Sequence, residues 1–236
     1  MGRVPGVTLW NKFGYNQNIS IGTETVWSPG GTFSRMTAAD TLNLVSLDAA
    51  DDLGSTGLEI IRIWGVGAGW VEQTEDVVMN GTTPVTTSNT WLGVNRMAGT
   101  SFGSGGANAG RIRATVTTGG SLQAEMPAGE GTTQQCLFFV PAGKTALMDW
   151  LELNAIKTSA GADPELVFEI NVYSDVFGGS FEVLRHRMDI ALTNDKEFNP
   201  PSPFVVGEKS AITLRCTTDQ NNTEVNGRFS LLLETN

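Results

Sequence analysis

Histidine and cysteine are nearly absent from this sequence, which contains one His and two Cys among 236 residues. Zinc and most transition-metal sites are built from these nitrogen and sulfur ligands, so the composition predicts no metal site of that kind. The lone histidine, His186, lies between two arginines in a strand-like run, which predicts a cross-strand polar partner rather than a catalytic base. We therefore expect a protein that is not an enzyme, with no catalytic, cofactor-binding or metal-binding residues and no cofactor.

Basic residues and long apolar runs are also scarce. The chain has 15 Lys and Arg against 25 Asp and Glu, which gives a net charge of −10. Such a balance repels polyanions, so we expect no nucleic-acid partner. No run approaches the ~18 apolar residues of a membrane span. The first residues also lack the apolar core of a signal peptide, so we expect folding in the cytoplasm and no membrane partner.

The two cysteines, Cys136 and Cys216, each lie in an apolar, strand-like run. This setting predicts two buried thiols. A disulfide has no support without signs of secretion, and whether the two residues lie near each other stays open at this point.

Glycine, by contrast, is abundant, with 28 residues, and only 17% of all residues are charged. This composition favours short strands joined by tight turns. We expect an all-β chain, an antiparallel β-sandwich or jelly roll, with one sandwich or two β sub-domains left open. A change of composition at residues 128–135 marks a candidate boundary. The predicted segments are an extended N-terminal arm at 1–25, a β-sandwich sub-domain at 26–130, and a second sandwich half or sub-domain at 131–236.

Alternating apolar residues predict strands in the second half. Three runs place their apolar side chains on one face: Phe168 to Val172, Ile212 to Cys216, and Val225 to Leu233. Gly178-Gly179 is expected to turn the first of these runs into a further strand over residues 181–190. Half-buried antiparallel sheet is the structure that these patterns predict.

The first half gives shorter strand signals. Residues 55–64 and 70–79 are expected to pair, and Asn80-Gly81 predicts a tight hairpin into a strand over 84–97. A strand is also expected from Leu42 onwards. Residues 98–110, rich in Gly and Ser, predict a flexible surface loop, with an arm that contacts a neighbouring subunit as the alternative.

Gly143-Lys144-Thr145 is the tripeptide most suggestive of enzyme chemistry. A phosphate-binding loop of the G-x-x-x-x-G-K-[ST] type needs a glycine five positions before Gly143, so that the backbone amides can curl around the phosphates. Phe138 occupies that position. Strand-like sequence also follows the tripeptide, where the motif requires a helix. The segment therefore predicts a turn between two strands.

Two other groups of residues suggest binding. Asp48, Asp51 and Asp52 form the densest acidic cluster, but the spacing of a calcium loop is not met, so a solvated loop is expected. Six tryptophans are scattered along the chain. If Trp64, Trp70 and Trp91 were exposed on one sandwich face, they would suit a carbohydrate-binding module; more often such residues fill a core or an interface.

Several segments, taken in order, resemble a family of tailed-bacteriophage virion proteins. They are Lys12–Asn16 (KFGYN), Glu24–Trp27 (ETVW) with Gly30-Gly31, Asn80–Val85 (NGTTPV), Gly105–Gly110 (GGANAG), Val140–Thr145 (VPAGKT), and Asn221–Val225 with Phe229–Leu233 (NNTEV, FSLLL). The resemblance spans nearly the whole chain. Members are small β-rich structural proteins, and the resemblance brings no catalytic residues with it.

The resemblance implies a protein located in the virion. The leading hypothesis is a capsid decoration or cement protein that oligomerises, as a homotrimer, and clamps neighbouring subunits of the major capsid protein against the pressure of packaged DNA. The N-terminal segment is the part expected to reach out as an arm. The first alternative is a tail, baseplate or fibre-attachment subunit, and the second is the carbohydrate-binding module.

Overall fold

Antiparallel strands dominate the computed structural model, which describes residues 5–158, 163–189, 195–198 and 202–236. The described residues form seventeen strands and one short 3-10 turn at Ala68–Trp70. The chain divides into two compact units: unit 1 comprises Met1–Thr32 and Gln135–Asn236, and unit 2 comprises Phe33–Gln134.

The strands follow one another through the two units. Unit 1 begins with β1 (Val7–Ile19) and β2 (Gly22–Thr25). Unit 2 contains β3 (Leu42–Ser46), β4 (Leu58–Val66), β5 (Glu72–Val78), β6 (Val85–Thr86), β7 (Gly93–Phe102), β8 (Ile112–Val116) and β9 (Leu122–Met126). Unit 1 continues with β10 (Leu137–Val140), β11 (Lys144–Lys157), β12 (Glu165–Ser174), β13 (Gly179–Asp189), β14 (Asp195–Phe198), β15 (Phe204–Val206), β16 (Ser210–Thr218) and β17 (Thr223–Thr235).

Unit 1 is a sandwich of two five-stranded sheets. The first sheet has the order β1-β17-β11-β14, with β15 also paired to β11, and the second has the order β10-β16-β12-β13, with β2 paired to β16. Apolar side chains from both sheets form one buried cluster that includes Phe138, Phe168 and Phe229. Burial of such alternating faces is the main source of stability for two sheets packed in this way.

Unit 2 has two smaller antiparallel sheets, β6-β3-β8-β9 and β5-β4-β7. Its buried side chains include Leu42, Leu44, Ile61, Ile63 and Trp91, all with no exposed area. The predicted fold class, an all-β antiparallel sandwich, is therefore confirmed.

Most strand predictions for the second half are confirmed. The inward side chains of β12, β16 and β17 are the predicted apolar sets and are buried. The predicted turn at the Gly-Lys-Thr tripeptide joins β10 to β11, and Gly143 has φ 72°, a conformation that favours glycine. The hairpin at Gly178-Gly179 joins β12 to β13, while the predicted end of that strand, Ile190, lies outside the described residues.

The strand from Leu42 and the pairing of β4 with β5 are also confirmed, but the predicted hairpin at Asn80-Gly81 is wrong. β6 pairs with β3 rather than with β5. Gly81 does turn, with φ 54°, yet its amide donates to the carbonyl of Asp51 over 2.7 Å instead of closing a hairpin. A tertiary contact thus overrides the local turn signal.

The N-terminal segment, predicted as an arm, is described differently by the structure. β1 pairs along its length with β17, from Val7 opposite Glu234 to Ile19 opposite Thr223, and it forms one end of the first sheet. The compact units also divide the chain at residues 32/33 and 134/135, whereas the sequence suggested 25/26 and 130/131. The difference arises because β1 and β2 pair with strands that lie about 200 residues later in the sequence.

Candidate interaction surface

The first sheet of unit 1 exposes a broad face of side chains. β1, β17 and β11 alternate between buried residues and residues that are half-buried or exposed. The buried set points into the sandwich. We call the other set, together with Glu197 of β14 and Val205 of β15, the outer face.

Four aliphatic side chains line up across the outer face. Leu9 lies opposite Leu232, Leu232 lies opposite Leu147, and Leu147 lies opposite Val205, so the four residues cross β1, β17, β11 and β15 in one register. Leu9 is 59% exposed and Val205 is 68% exposed. We call this set the aliphatic row. A sheet face that meets only water normally carries polar residues at these positions, so the row indicates a contact surface.

A second row on the outer face is charged. It runs from Phe13 through Arg228 and Glu152 to Glu197. The guanidinium carbon of Arg228 lies 5.2 Å from the centre of the Phe13 ring, which is cation–π geometry. Glu197 accepts a hydrogen bond from the indole nitrogen of Trp150 over 2.7 Å. These contacts fix the aromatic side chains on the outer face.

Tyr15 ends the outer face near Glu224. Burial and then the neighbouring carboxylate of Glu224 raise the pKa of the Tyr15 hydroxyl above its ordinary value. The shift widens the alkaline range over which the hydroxyl stays protonated and can act as a hydrogen-bond donor.

A second exposed apolar site lies at the tip of the hairpin between β12 and β13. Val176 is 61% exposed and Phe177 is 82% exposed, although turn residues are usually polar. The carbonyl of Lys209 accepts a hydrogen bond from the amide of Asp175 over 2.9 Å, which anchors the base of the tip. This tip offers an aromatic side chain to a partner.

The acidic cluster is only in part the solvated loop that the sequence predicted, since Asp51 is not exposed. Asp51 is completely buried, and its carboxylate accepts hydrogen bonds from the amides of Leu58, Ala109 and Gly110 and from the hydroxyl of Ser46, over 2.6 to 2.8 Å. Asp48 is exposed and caps the amide of Ala50. Asp51 thus ties three segments of unit 2 together. Among the described residues, no group of three or more His, Cys, Asp or Glu is arranged to hold a metal ion.

The glycine-rich stretch at 98–110 is also not a flexible surface loop. Its first part belongs to β7, and Asn108 is 2% exposed. The Asn108 amide donates to the carbonyls of Gly110 and Pro127, while its oxygen accepts from the amide of Gly131. The buried amide of Asn108 and the carboxylate of Asp51 together hold the end of this stretch in place, which composition alone does not reveal.

Within that stretch, Gly99–Gly103 matches G-x-S-x-G, a nucleophile pattern that the sequence analysis did not identify. The structure gives it no catalytic setting. Ser101 lies inside β7 instead of at a strand-to-helix turn, and its hydroxyl donates to the carboxylate of Glu59 over 2.7 Å.

Both cysteines are buried and free, as predicted. Burial raises the pKa of the Cys136 thiol to about 12, with the nearby Lys12 acting in the opposite direction. Burial also raises the pKa of Cys216, and the carboxylates of Glu24 and Glu169 add to the effect. Neither thiol is set up as a nucleophile or a metal ligand, because both chemistries need the thiolate.

Two of the three tryptophans proposed for sugar binding are unsuitable. Trp70 is 3% exposed and Trp91 is fully buried, so the hypothesis of an exposed platform is wrong for these rings. Trp64 is half-buried, and the guanidinium carbon of Arg62 lies 5.9 Å from its ring centre. His186 lies in β13 opposite Phe168, and its side chain is outside the described part of the structure.

A surface groove of about 380 Å³ in unit 2 is lined by residues that include Arg35, Asp40 and Thr118. Hydrogen bonds, first with Thr118 and then with Thr41, lower the pKa of the Asp40 carboxyl. The Arg35 guanidinium donates to the carbonyl of Met36 over 2.7 Å. Both charged groups therefore serve local structure.

No protein-family model matches the chain, and a search of curated proteins finds no match. Among solved structures, a structure of T=1 particles derived from infectious bursal virus shares 13% sequence identity with the chain. The match covers 98% of this chain and 70% of the other, with a TM-score of 0.23. A structure of the Gx strain of infectious bursal disease virus gives 12% identity, coverage of 96% and 70%, and a TM-score of 0.23. TM-scores this low do not indicate a shared fold.

No helix in the described ranges is both long enough and apolar enough to cross a bilayer.

Proposed function

We propose that the chain is a non-enzymatic structural protein of a bacteriophage virion, and that it acts as a decoration or cement protein. The resemblance of its ordered segments to tailed-phage virion proteins supports this function. The observation that carries it in the structure is the aliphatic row, because an apolar line across four strands, exposed at both ends and half-buried in the middle, suits a permanent contact better than a free surface. Its partners are further copies of itself and the major capsid protein.

The size of the outer face fits this role. Four strands spaced ~4.8 Å apart make the sheet roughly 19 Å wide, and the 13 residues of β17 make it roughly 43 Å long. The resulting area of roughly 800 Å² equals what each partner contributes to a standard protein interface. If somewhat over half of this area is apolar, its burial contributes roughly 11 kcal/mol before the entropic cost of association is subtracted.

The mechanism is therefore energetic. Each copy buries apolar surface at a junction between subunits, and the free energy released opposes their separation by the packaged genome. The buried thiols and the all-β sandwich are compatible with a protein that folds before it joins the particle.

The test is the copy number of this chain in purified particles, measured by quantitative mass spectrometry against the major capsid subunit. We expect a ratio near one to one or a simple fraction of it, such as one third. A few to a few dozen copies per particle would instead support the alternative, a tail, baseplate or fibre-attachment subunit. No copies in the particle would refute both.

A further inference from the structure

We propose that the outer face pairs with the outer face of a second copy of this chain, about a two-fold axis that lies parallel to the strands and between β17 and β11. The inference rests on the proposed function, because it names the partner of the same assembly surface. It differs from the predicted trimer, since a face that pairs with itself produces a dimer.

The aliphatic row is self-complementary under this symmetry. A two-fold axis between β17 and β11 reverses the order of the strands across the face. Leu232 then lies over Leu147 of the second copy, and Leu9 lies over Val205 of the second copy, so all four members of the row contact an aliphatic partner. The strand axes of the two sheets lie nearly parallel, with facing strands running in opposite directions, which is the aligned mode of sheet packing.

The charged row is complementary under the same symmetry. Arg228 and Glu152 are neighbours in register on β17 and β11. The two-fold axis between these strands places Arg228 of each copy over Glu152 of the other. Two cross-copy ion pairs form at once, about 13 Å along β17 from the aliphatic row, because Leu232 lies four positions after Arg228.

Three further carboxylates of the outer face avoid one another. Glu234 lies in register with Thr145 of the same sheet, and Glu224 lies in register with Ile156. Under the proposed axis each carboxylate therefore faces a neutral side chain of the second copy. Glu197 likewise faces Phe13. This arrangement limits the repulsion between two copies that each carry a net charge of −10.

The available area is also sufficient. The outer face offers roughly 800 Å² per copy, the amount that a stable dimer of standard size needs. No other exposed apolar set in the described residues crosses four paired strands: the hairpin tip, for example, offers Val176 and Phe177 on a single turn. The tip stays available for a different partner.

The experiment is sedimentation velocity and native mass spectrometry of the full chain over a range of roughly 1 to 100 µM, the range in which weak dimers separate. We expect a dimer for the unmodified chain. Leu147→Glu and Val205→Glu should each weaken dimerisation by at least about 30-fold, because each places a charge against an aliphatic partner. Val205 is 68% exposed, so its substitution cannot disturb the core, and far-ultraviolet circular dichroism checks the fold of both.

The charge pair gives a sharper test. Arg228→Glu should weaken the dimer about tenfold, and adding Glu152→Arg in the same chain should restore it to within about threefold, because the swap keeps the pair but exchanges its ends. The matched control is Leu53→Glu, since Leu53 is a 61% exposed leucine of unit 2, and it should change nothing.

Each outcome has a clear meaning. A monomer at 100 µM, or a dimer that none of the outer-face variants affects, overturns the inference. A trimer that the outer-face variants dissociate also overturns the inference, because three copies cannot be related by the proposed two-fold axis. Particle copy number is measured independently, so a monomeric chain found in stoichiometric amounts on shells would refute the dimer and leave the proposed function standing.

Discussion

Replacing Asp51 should destabilise unit 2 more than any other single change to an acidic residue of the cluster. Its carboxylate is fully buried and accepts four hydrogen bonds, three of them from backbone amides. In Asp51→Ala, the amides of Leu58, Ala109 and Gly110 lose their acceptor. Each unsatisfied buried amide costs roughly 1–3 kcal/mol.

Part of that loss is offset, because the variant no longer buries a charge and water can enter the space left by the carboxylate. We therefore expect a net loss of about 3–5 kcal/mol, the lower part of the range that three unsatisfied amides would give. Asp51→Asn should lose less, about 2 kcal/mol, because its amide oxygen keeps two donors while its NH₂ group meets the amide of Gly110.

The assay is urea denaturation with fluorescence detection, in which the buried Trp70 and Trp91 report on unit 2. Hydrogen exchange followed by mass spectrometry adds local information, since exchange of the Ala109 and Gly110 amides should accelerate most. The control is Asp48→Ala, which removes one exposed capping bond and should cost at most about 1 kcal/mol. An Asp51→Ala protein within 1 kcal/mol of the parent would refute the role assigned to this carboxylate.

Three further outcomes are expected. Gly14→Ala should destabilise unit 1 by about 1–3 kcal/mol, because the added methyl group would collide with the carbonyl of Val26. The control is Gly207→Ala, whose methyl group would contact no atom and which should be nearly neutral. Thermal melts of the two variants give the comparison. Cys136 and Cys216 should resist iodoacetamide until the chain is unfolded, and rapid labelling of the folded protein would contradict their burial. Burial raises the pKa of Cys136 to about 12, so its contribution to the free energy of unfolding is complete below the ordinary pKa of 9.0 and is lost as the pH rises from there towards 12. Cys136→Ala should therefore show a smaller fall in stability at alkaline pH, measured by urea titration.

Sequence patterns predict this fold well where the buried side chains are apolar. β16 and β17 carry their inward residues at strict two-residue spacing, so the sequence predicts both the strands and the face that each one buries. The turn at Gly143 is predictable for a similar reason, since its chemistry is local.

The pattern fails for β1 because the inward residues in the middle of the strand are not apolar. Lys12, Gly14 and Asn16 point into unit 1, while Phe13 and Tyr15 lie on the outer face. Gly14 faces Gly227 across the pair of strands, and the thiol of Cys136 lies against both glycines. A strand that makes room for a neighbour looks like an exposed segment when only its own residues are considered.

Polar residues that hold unit 2 together were missed for the same kind of reason. Aspartate and asparagine are common in loops, so nothing in the sequence marks Asp51 and Asn108 as buried. Their structural role depends on hydrogen-bond partners that lie far along the chain. The aliphatic row cannot be predicted from the sequence either. Its four members come from four strands, and Leu9 and Leu232 are 223 positions apart. They become neighbours only through the register of the sheet.

The pairing of β1 with β17 also fixes the order in which the chain can fold during synthesis. Unit 2 is complete in sequence once Gln134 has emerged from the ribosome, so it can fold while β1 still waits for a partner that is about 100 residues from being made. Until then, β1 exposes backbone donors and acceptors of the kind that lead to pairing with another nascent chain. Chains released before Thr223 lack β17, the strand between β1 and β11, and should therefore aggregate with an intact unit 2 attached.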